Sequence, residues 1–181
     1  MRRTTILALA LCLAPPALHA GDAAAPDPRV ASLMAGLVMS EREGWMLDYL
    51  FAHQKPEIAA ALARLSGYDT ETFRATARQG YAQRAETLGV VDARAFPDKA
   101  LRGEAGGWRW AMVPVLTTYE YVGTGKRFTI CANWLAYGDG TRWYLEQLSD
   151  FATRDALRKG VPALADAPLG TRPACGDALI G

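Results

Sequence analysis

The sequence predicts an α+β fold, with N-terminal helices packed on a C-terminal curved antiparallel sheet. Three observations predict it. Residues 111–122 (AMVPVLTTYEYV) and 127–137 (RFTICANWLAY) are rich in β-branched and aromatic residues and flank Gly123-Thr124-Gly125-Lys126, a strand, turn, strand pattern. A second turn, Gly138-Asp139-Gly140, leads into Thr141 to Ser149 and completes a three-stranded meander. Ahead of the meander, apolar residues recur at helical spacing, and helices grouped before strands argue for layered α+β over a parallel βαβ arrangement.

The first twenty residues pair Arg2-Arg3 with an apolar run, Ile6 to Ala14, and end Ala17-Leu18-His19-Ala20. That is the form of a secretory signal peptide, with an apolar run too short to cross a bilayer. Leu11 before Cys12 argues against a lipoprotein anchor. The expectation is therefore a periplasmic or secreted protein with no membrane anchor. Residues 21–28 form a flexible leader, 29–160 one α+β domain, and 161–181 an irregular tail.

Asp27 and Pro28 have the form of a helix cap and first turn, followed by a stripe of Val30, Leu33, Met34, Leu37 and Val38. Ser40-Glu41-Arg42-Glu43 resembles a capping box, which predicts that Gly44 to His53 is a new helix or a bent continuation. Pro56 to Ser66 reads as a short helix ended by Gly67. Asp69 or Thr70 caps the next, with Phe73, Ala77, Tyr81 and Leu88 on its inner side. Val90 to Gly107 is a turn-rich crossing with one short strand near 90–96. After the meander, Ser149 or Asp150 caps a last helix, Phe151 to Lys159.

Alternation along the strands assigns faces. A three-residue second turn places Val113, Val115, Thr117, Tyr119 and Tyr121 beside Phe128, Ile130, Ala132, Trp134 and Ala136, and both beside Arg142, Tyr144, Glu146 and Leu148. This apolar face is expected to lie under the helices. The other face, with Cys131, Leu135 and Trp143, is mixed and suits partial cover.

Helices followed by a curved meander, whose last strand follows Gly138-Asp139-Gly140 with Trp143-Tyr144-Leu145, resemble nuclear-transport-factor-2-like and cystatin-like proteins, including exported bacterial members of unknown function. The resemblance implies a cavity between the helices and the concave sheet. It transfers no functional residue, since such folds host enzymes, binding proteins and interaction modules alike.

Without Arg2 and Arg3, eighteen basic residues face nineteen acidic ones, a net charge of about −1 that gives no reason to expect nucleic acid or an anionic membrane as partner. Cys131 and Cys175 remain once Cys12 is removed. In an oxidising compartment they read as a disulfide tethering the tail, with a reactive thiol or a metal pair as alternatives. His53 is the one histidine outside the signal, which excludes paired-histidine zinc motifs, and its place at a helix end suits capping. No phosphate loop, nucleophile elbow or calcium loop is present. Glu41, Glu43 and Asp48 form a carboxylate cluster that reads as a solvated face, so neither a metal nor a cofactor is expected.

Glu146 stands out as a carboxylate in mid-strand on the apolar face. Either it pairs with Arg142 or a helix arginine, or it orients a ligand in a pocket lined by Tyr119, Tyr121, Trp134 and Tyr144. The leading expectation is a non-catalytic binding or interaction protein for a small apolar molecule or a partner protein. In that reading Tyr137 and Trp143 are available to a partner, and a homodimer is possible. The alternatives are a small-molecule enzyme using Glu146 as acid or base, and an inhibitor or immunity protein for an exported enzyme.

Overall fold

The computed structural model describes residues 27–148, 151–165 and 167–169. Helix α1 (Pro28–Glu43) starts where the Asp27 carboxylate accepts the Arg29 N–H at 2.9 Å, with Pro28 in its first turn. It runs through Ser40-Glu41-Arg42-Glu43 without a break. Ser40 does not cap a new helix: its hydroxyl donates back to the Leu37 carbonyl at 2.7 Å. The stop is Gly44, whose left-handed φ of 84° closes α1 while the Trp45 N–H donates to the Ser40 carbonyl. Three helices follow, α2 (Met46–His53), α3 (Pro56–Leu65) and α4 (Thr70–Ala85), the last capped by Asp69 on the Thr72 N–H.

The expected strand near 90–96 is β1 (Leu88–Ala95), and the crossing holds a second one, β2 (Leu101–Ala105). The meander is β3 (Trp108–Tyr121), β4 (Arg127–Gly138) and β5 (Trp143–Gln147). β3 is long enough for β1 and β2 to lie end to end along one of its edges, while β4 and then β5 continue from the other. This layout explains Pro114 inside a central strand. The Pro114 carbonyl accepts the Phe96 N–H at 3.0 Å, so its missing donor faces the gap between β1 and β2, where no ladder bond is lost.

At the end where β2 and β5 lie, both faces of the sheet are buried. α1 and α2 cover Ala111, Val113, Val115, Trp134, Ala136 and Leu145 with Val30, Leu33, Met34, Leu37 and Met46. On the opposite face, Ile58 of α3 and Ala156 and Leu157 of α5 (Phe151–Gly160) pack on Trp110, Met112, Leu135 and Tyr137. The expected partial cover is thus nearly complete at this end. Tyr137, expected to meet a partner, has no exposed surface. Trp143 is half-buried on the α1 side, under the guanidinium groups of Arg29 and Arg109.

The first turn keeps the expected faces but shifts the pairing by two residues, with Glu120 opposite Arg127, Thr117 opposite Ile130 and Val113 opposite Trp134. The second does not keep its faces. Asp139 accepts the N–H groups of Thr141 and Arg142 and the Thr141 hydroxyl, which builds a four-residue turn and pairs Gly138 with Trp143. That one-residue shift exchanges the faces of β5. Trp143, Leu145 and Gln147 join the α1 side, while Tyr144, Glu146 and Leu148 turn toward α3 and α5. The cap expected at Ser149 or Asp150, Cys175, and the signal and leader up to residue 26 lie outside the described residues. No helix among the described residues is long and apolar enough to cross a membrane.

Candidate functional site

The helical stripe that begins at Val30 and reaches Leu37 continues four residues on to Glu41, so the last turn of α1 carries a carboxylate inward. Glu41 is 6% exposed. It meets the sheet at Tyr119, near the end of β3, whose hydroxyl donates to Glu41 Oε1 at 2.8 Å. Arg84, one residue before the end of α4, donates from Nη2 to the same hydroxyl at 3.1 Å and stands 3.8 Å from Glu41 Oε1. Its guanidinium also lies over the rings of Tyr119 and Tyr81, 4.9 and 5.2 Å from their centroids. The Tyr119 hydroxyl therefore relays between a cation and a buried carboxylate.

Electrostatics follow from this placement. Burial pushes the Glu41 pKa up, and the Tyr119 hydrogen bond and the Arg84 charge pull it back only in part. Burial, together with the charge of Glu41, raises the Tyr119 phenol to about 12, so it stays a donor. Beside these three groups lies a cavity of about 110 Å³ between α1 and the sheet, walled by Leu37, Met46, Val115, Ala132 and Trp134. A groove of about 180 Å³ adjoins it, between the end of α1, α4 and the start of β1, and Glu41 and Arg84 line both.

The expected site residues divide among four environments. Tyr119 and Trp134 line the cavity. Tyr121, further along the same face, is 46% exposed and packs on Phe128 with ring centroids 5.2 Å apart. Arg142 is exposed; it lies over the Tyr144 ring and donates to the Ala52 carbonyl. Tyr144 and Glu146 lie across the sheet, in the α3 and α5 core.

Glu146, 1% exposed, pairs with neither Arg142 nor a helix arginine. It accepts from Gln54 Nε2 at Oε2 at 2.9 Å, from the turn between α2 and α3, and the Tyr137 phenol lies beside it. Glu146 Oε1, Gln54 Oε1 and the Tyr137 hydroxyl, all buried, have no hydrogen-bond partner among the described residues. Desolvation pushes the Glu146 pKa up to about 8. It is a core carboxyl on the far side of the sheet from the cavity.

The carboxylate cluster on α1 and α2 disperses: Glu41 binds Tyr119, Glu43 accepts from the Trp45 indole, and Asp48 pairs with Arg78. Among the described residues no group of acidic, histidine or cysteine side chains is placed to hold a metal. His53 sets Nδ1 2.9 Å from the Tyr49 carbonyl and stacks on the Tyr49 ring. Comparison with protein families, curated proteins and solved structures returned no match.

Proposed function

We propose that the chain is an exported, non-catalytic binding protein whose ligand enters the cavity between α1 and the sheet. One observation carries this: a small space walled by Leu37, Met46, Val115 and Trp134 carries a charged corner, Glu41, Tyr119 and Arg84, with Thr117 and Gln147 as further polar lining. Such a corner orients a guest and the walls hold it. The volume of about 110 Å³ is somewhat below the ~150 Å³ of an engineered cavity that binds benzene, so the fitting group is one compact ring or branched chain. Arg84 and Glu41 offset each other's charge, which favours a neutral hydrogen-bonding group such as a hydroxyl or amide over an ion. Helices over a concave sheet with a cavity between them also support the resemblance to nuclear-transport-factor-2-like proteins.

The test is an NMR titration with single-ring alcohols, phenols and amides. Binding should shift the signals of Trp134, Ala132 and Tyr119 while leaving Tyr144 and Glu146, across the sheet, nearly still, and Ala132→Phe, which fills the space, should abolish it. Shifts confined to the exposed Tyr121 and the half-buried Phe128 would refute the reading.

The enzyme alternative has a specific observation in its favour, a buried acid with a raised pKa at the lip of a cavity, and it now rests on Glu41 instead of Glu146. Glu41→Gln decides between the two. A binding protein keeps its ligand, whereas an enzyme keeps ligand and loses turnover.

A further inference from the structure

The cavity and the neighbouring groove share two lining side chains, Glu41 and Arg84, and Arg84 is the more exposed of the two. Each lies below the roughly 300 Å³ at which pockets for drug-sized ligands begin, and joined they approach it. The divider is Arg84, whose guanidinium spans from Tyr81 at the groove to Tyr119 and Glu41 at the cavity. Its side chain is 42% exposed and rooted in the last turn of α4, and its head is held by the Tyr81 and Tyr119 rings. Arginine has the reach and rotamer freedom to swing into solvent, at the cost of two ring contacts, the hydrogen bond to Tyr119 and the ion pair with Glu41.

Resting on the cavity reading above, we infer that Arg84 is a gate that sets ligand length, and that the full ligand is a three-part neutral molecule. A compact apolar end sits against Trp134 and Val115. A central amide or hydroxyl meets Glu41 and Tyr119. A tail passes the displaced Arg84 and lies between Tyr81 and the Leu88 to Val90 backbone. The outer groove suits such a tail, because the Tyr81 ring and Leu88 give it apolar contact while Arg42, already bound to Asp92 and the Ala93 carbonyl, is not available to attract an anion.

Calorimetric titration of benzamide and of N-alkylbenzamides of increasing tail length, with the wild type, Arg84→Ala and Arg84→Lys, tests this. Benzamide affinity, which should fall severalfold where Arg84 is lost from the polar corner, serves as the reference for its tailed derivatives within each protein. Tailed amides should bind Arg84→Ala about tenfold better relative to benzamide than they bind the wild type, since two cation–π contacts no longer oppose gate opening. Arg84→Lys, which keeps the charge but loses the planar stack, should fall between. An equal ratio of tailed to untailed affinity in all three folded proteins overturns the gate and leaves the cavity reading intact. Failure of benzamide itself to bind overturns both, and circular dichroism of each variant separates that result from a loss of fold.

Discussion

Glu146 buries a carboxyl that accepts from Gln54, with the Tyr137 phenol beside it, and among the described residues no cation balances it. An acceptor so placed is costly when charged, and the fold lowers that cost by holding the proton. Its pKa is about 8 in the folded state against an ordinary 4.5. The folded state therefore binds the proton more tightly than the unfolded chain. The stability that this group contributes is fully present below about pH 4.5 and is lost as pH rises through about 8. In Glu146→Gln the side chain stays neutral and gains an N–H pair that can reach Gln54 Oε1 and the Tyr137 hydroxyl. Urea unfolding at pH 5, 7 and 9 should show the wild type weakening toward pH 9 and the variant holding level, a gap on the order of 3 kcal/mol at pH 9. Parallel pH profiles for the two proteins would show that Glu146 does not carry the effect. At the cavity, Tyr119→Phe removes the donor to a buried carboxylate and the acceptor of Arg84. It should cost about 1–3 kcal/mol in the same assay. Glu41 was legible in the sequence, since it lies four residues beyond Leu37 on the apolar stripe. The capping-box form of Ser40-Glu41-Arg42-Glu43 hid it, because a helix restarting at Ser40 breaks the stripe.

At the level of elements, the helices and strands followed from local chemistry, whereas the sidedness of β5 did not. Every strand of the meander has the alternation and turn residues expected, yet the second turn takes four residues because Asp139 folds back on the N–H groups of Thr141 and Arg142. That contact is between side chain and backbone within the loop, and Gly138-Asp139-Gly140 is compatible with either length. One residue of turn then decided whether Glu146 met the cavity or the far core. β2 was missed for a related reason: Leu101 to Ala105 has only a weak strand pattern, and β3 supplies the partner that makes it a strand. The division of one edge between β1 and β2 yields a test on β3. Pro114 points its nitrogen at the gap, so Pro114→Ala should change stability by less than about 1 kcal/mol. Ala111, three residues earlier, turns its N–H toward β4 opposite Ala136, so Ala111→Pro should cost about 3 kcal/mol or more. Thermal unfolding compares the two variants directly, and a clear gain in stability from Pro114→Ala, which restores an N–H donor, would place the Pro114 nitrogen in the ladder instead of the gap.

On the scale of the whole molecule, the sheet is the partition between two cores, and the chain returns after β5 to seal the second with α5 and the segment through Leu169. Sequence patterning hides this closure, because the covered face mixes Trp110, Met112 and Leu135 with Thr118, Thr129 and Cys131 and so reads as only partly buried. The cover stops short of the distal part of that face, where Cys131 lies half-buried on β4 opposite Leu116. A tail tethered there would extend the seal along the strand, and Cys175 is the other cysteine outside the expected signal. The Cys131–Cys175 disulfide expected from the sequence would close a loop for which the chain-entropy model gives about 4 kcal/mol, a figure that strain in the folded state would reduce. The mature protein, isolated from an oxidising compartment, should therefore begin at Gly21 and yield a single linked peptide pair in a non-reducing digest. Cys175→Ser should lower the unfolding free energy by about 2–4 kcal/mol, with no effect in reducing buffer, where the wild type should already match the variant. Alkylation of both thiols in the unreduced, denatured wild type would remove the tether and, with it, the sequence argument that this chain matures outside the cytoplasm on the strength of its cysteines.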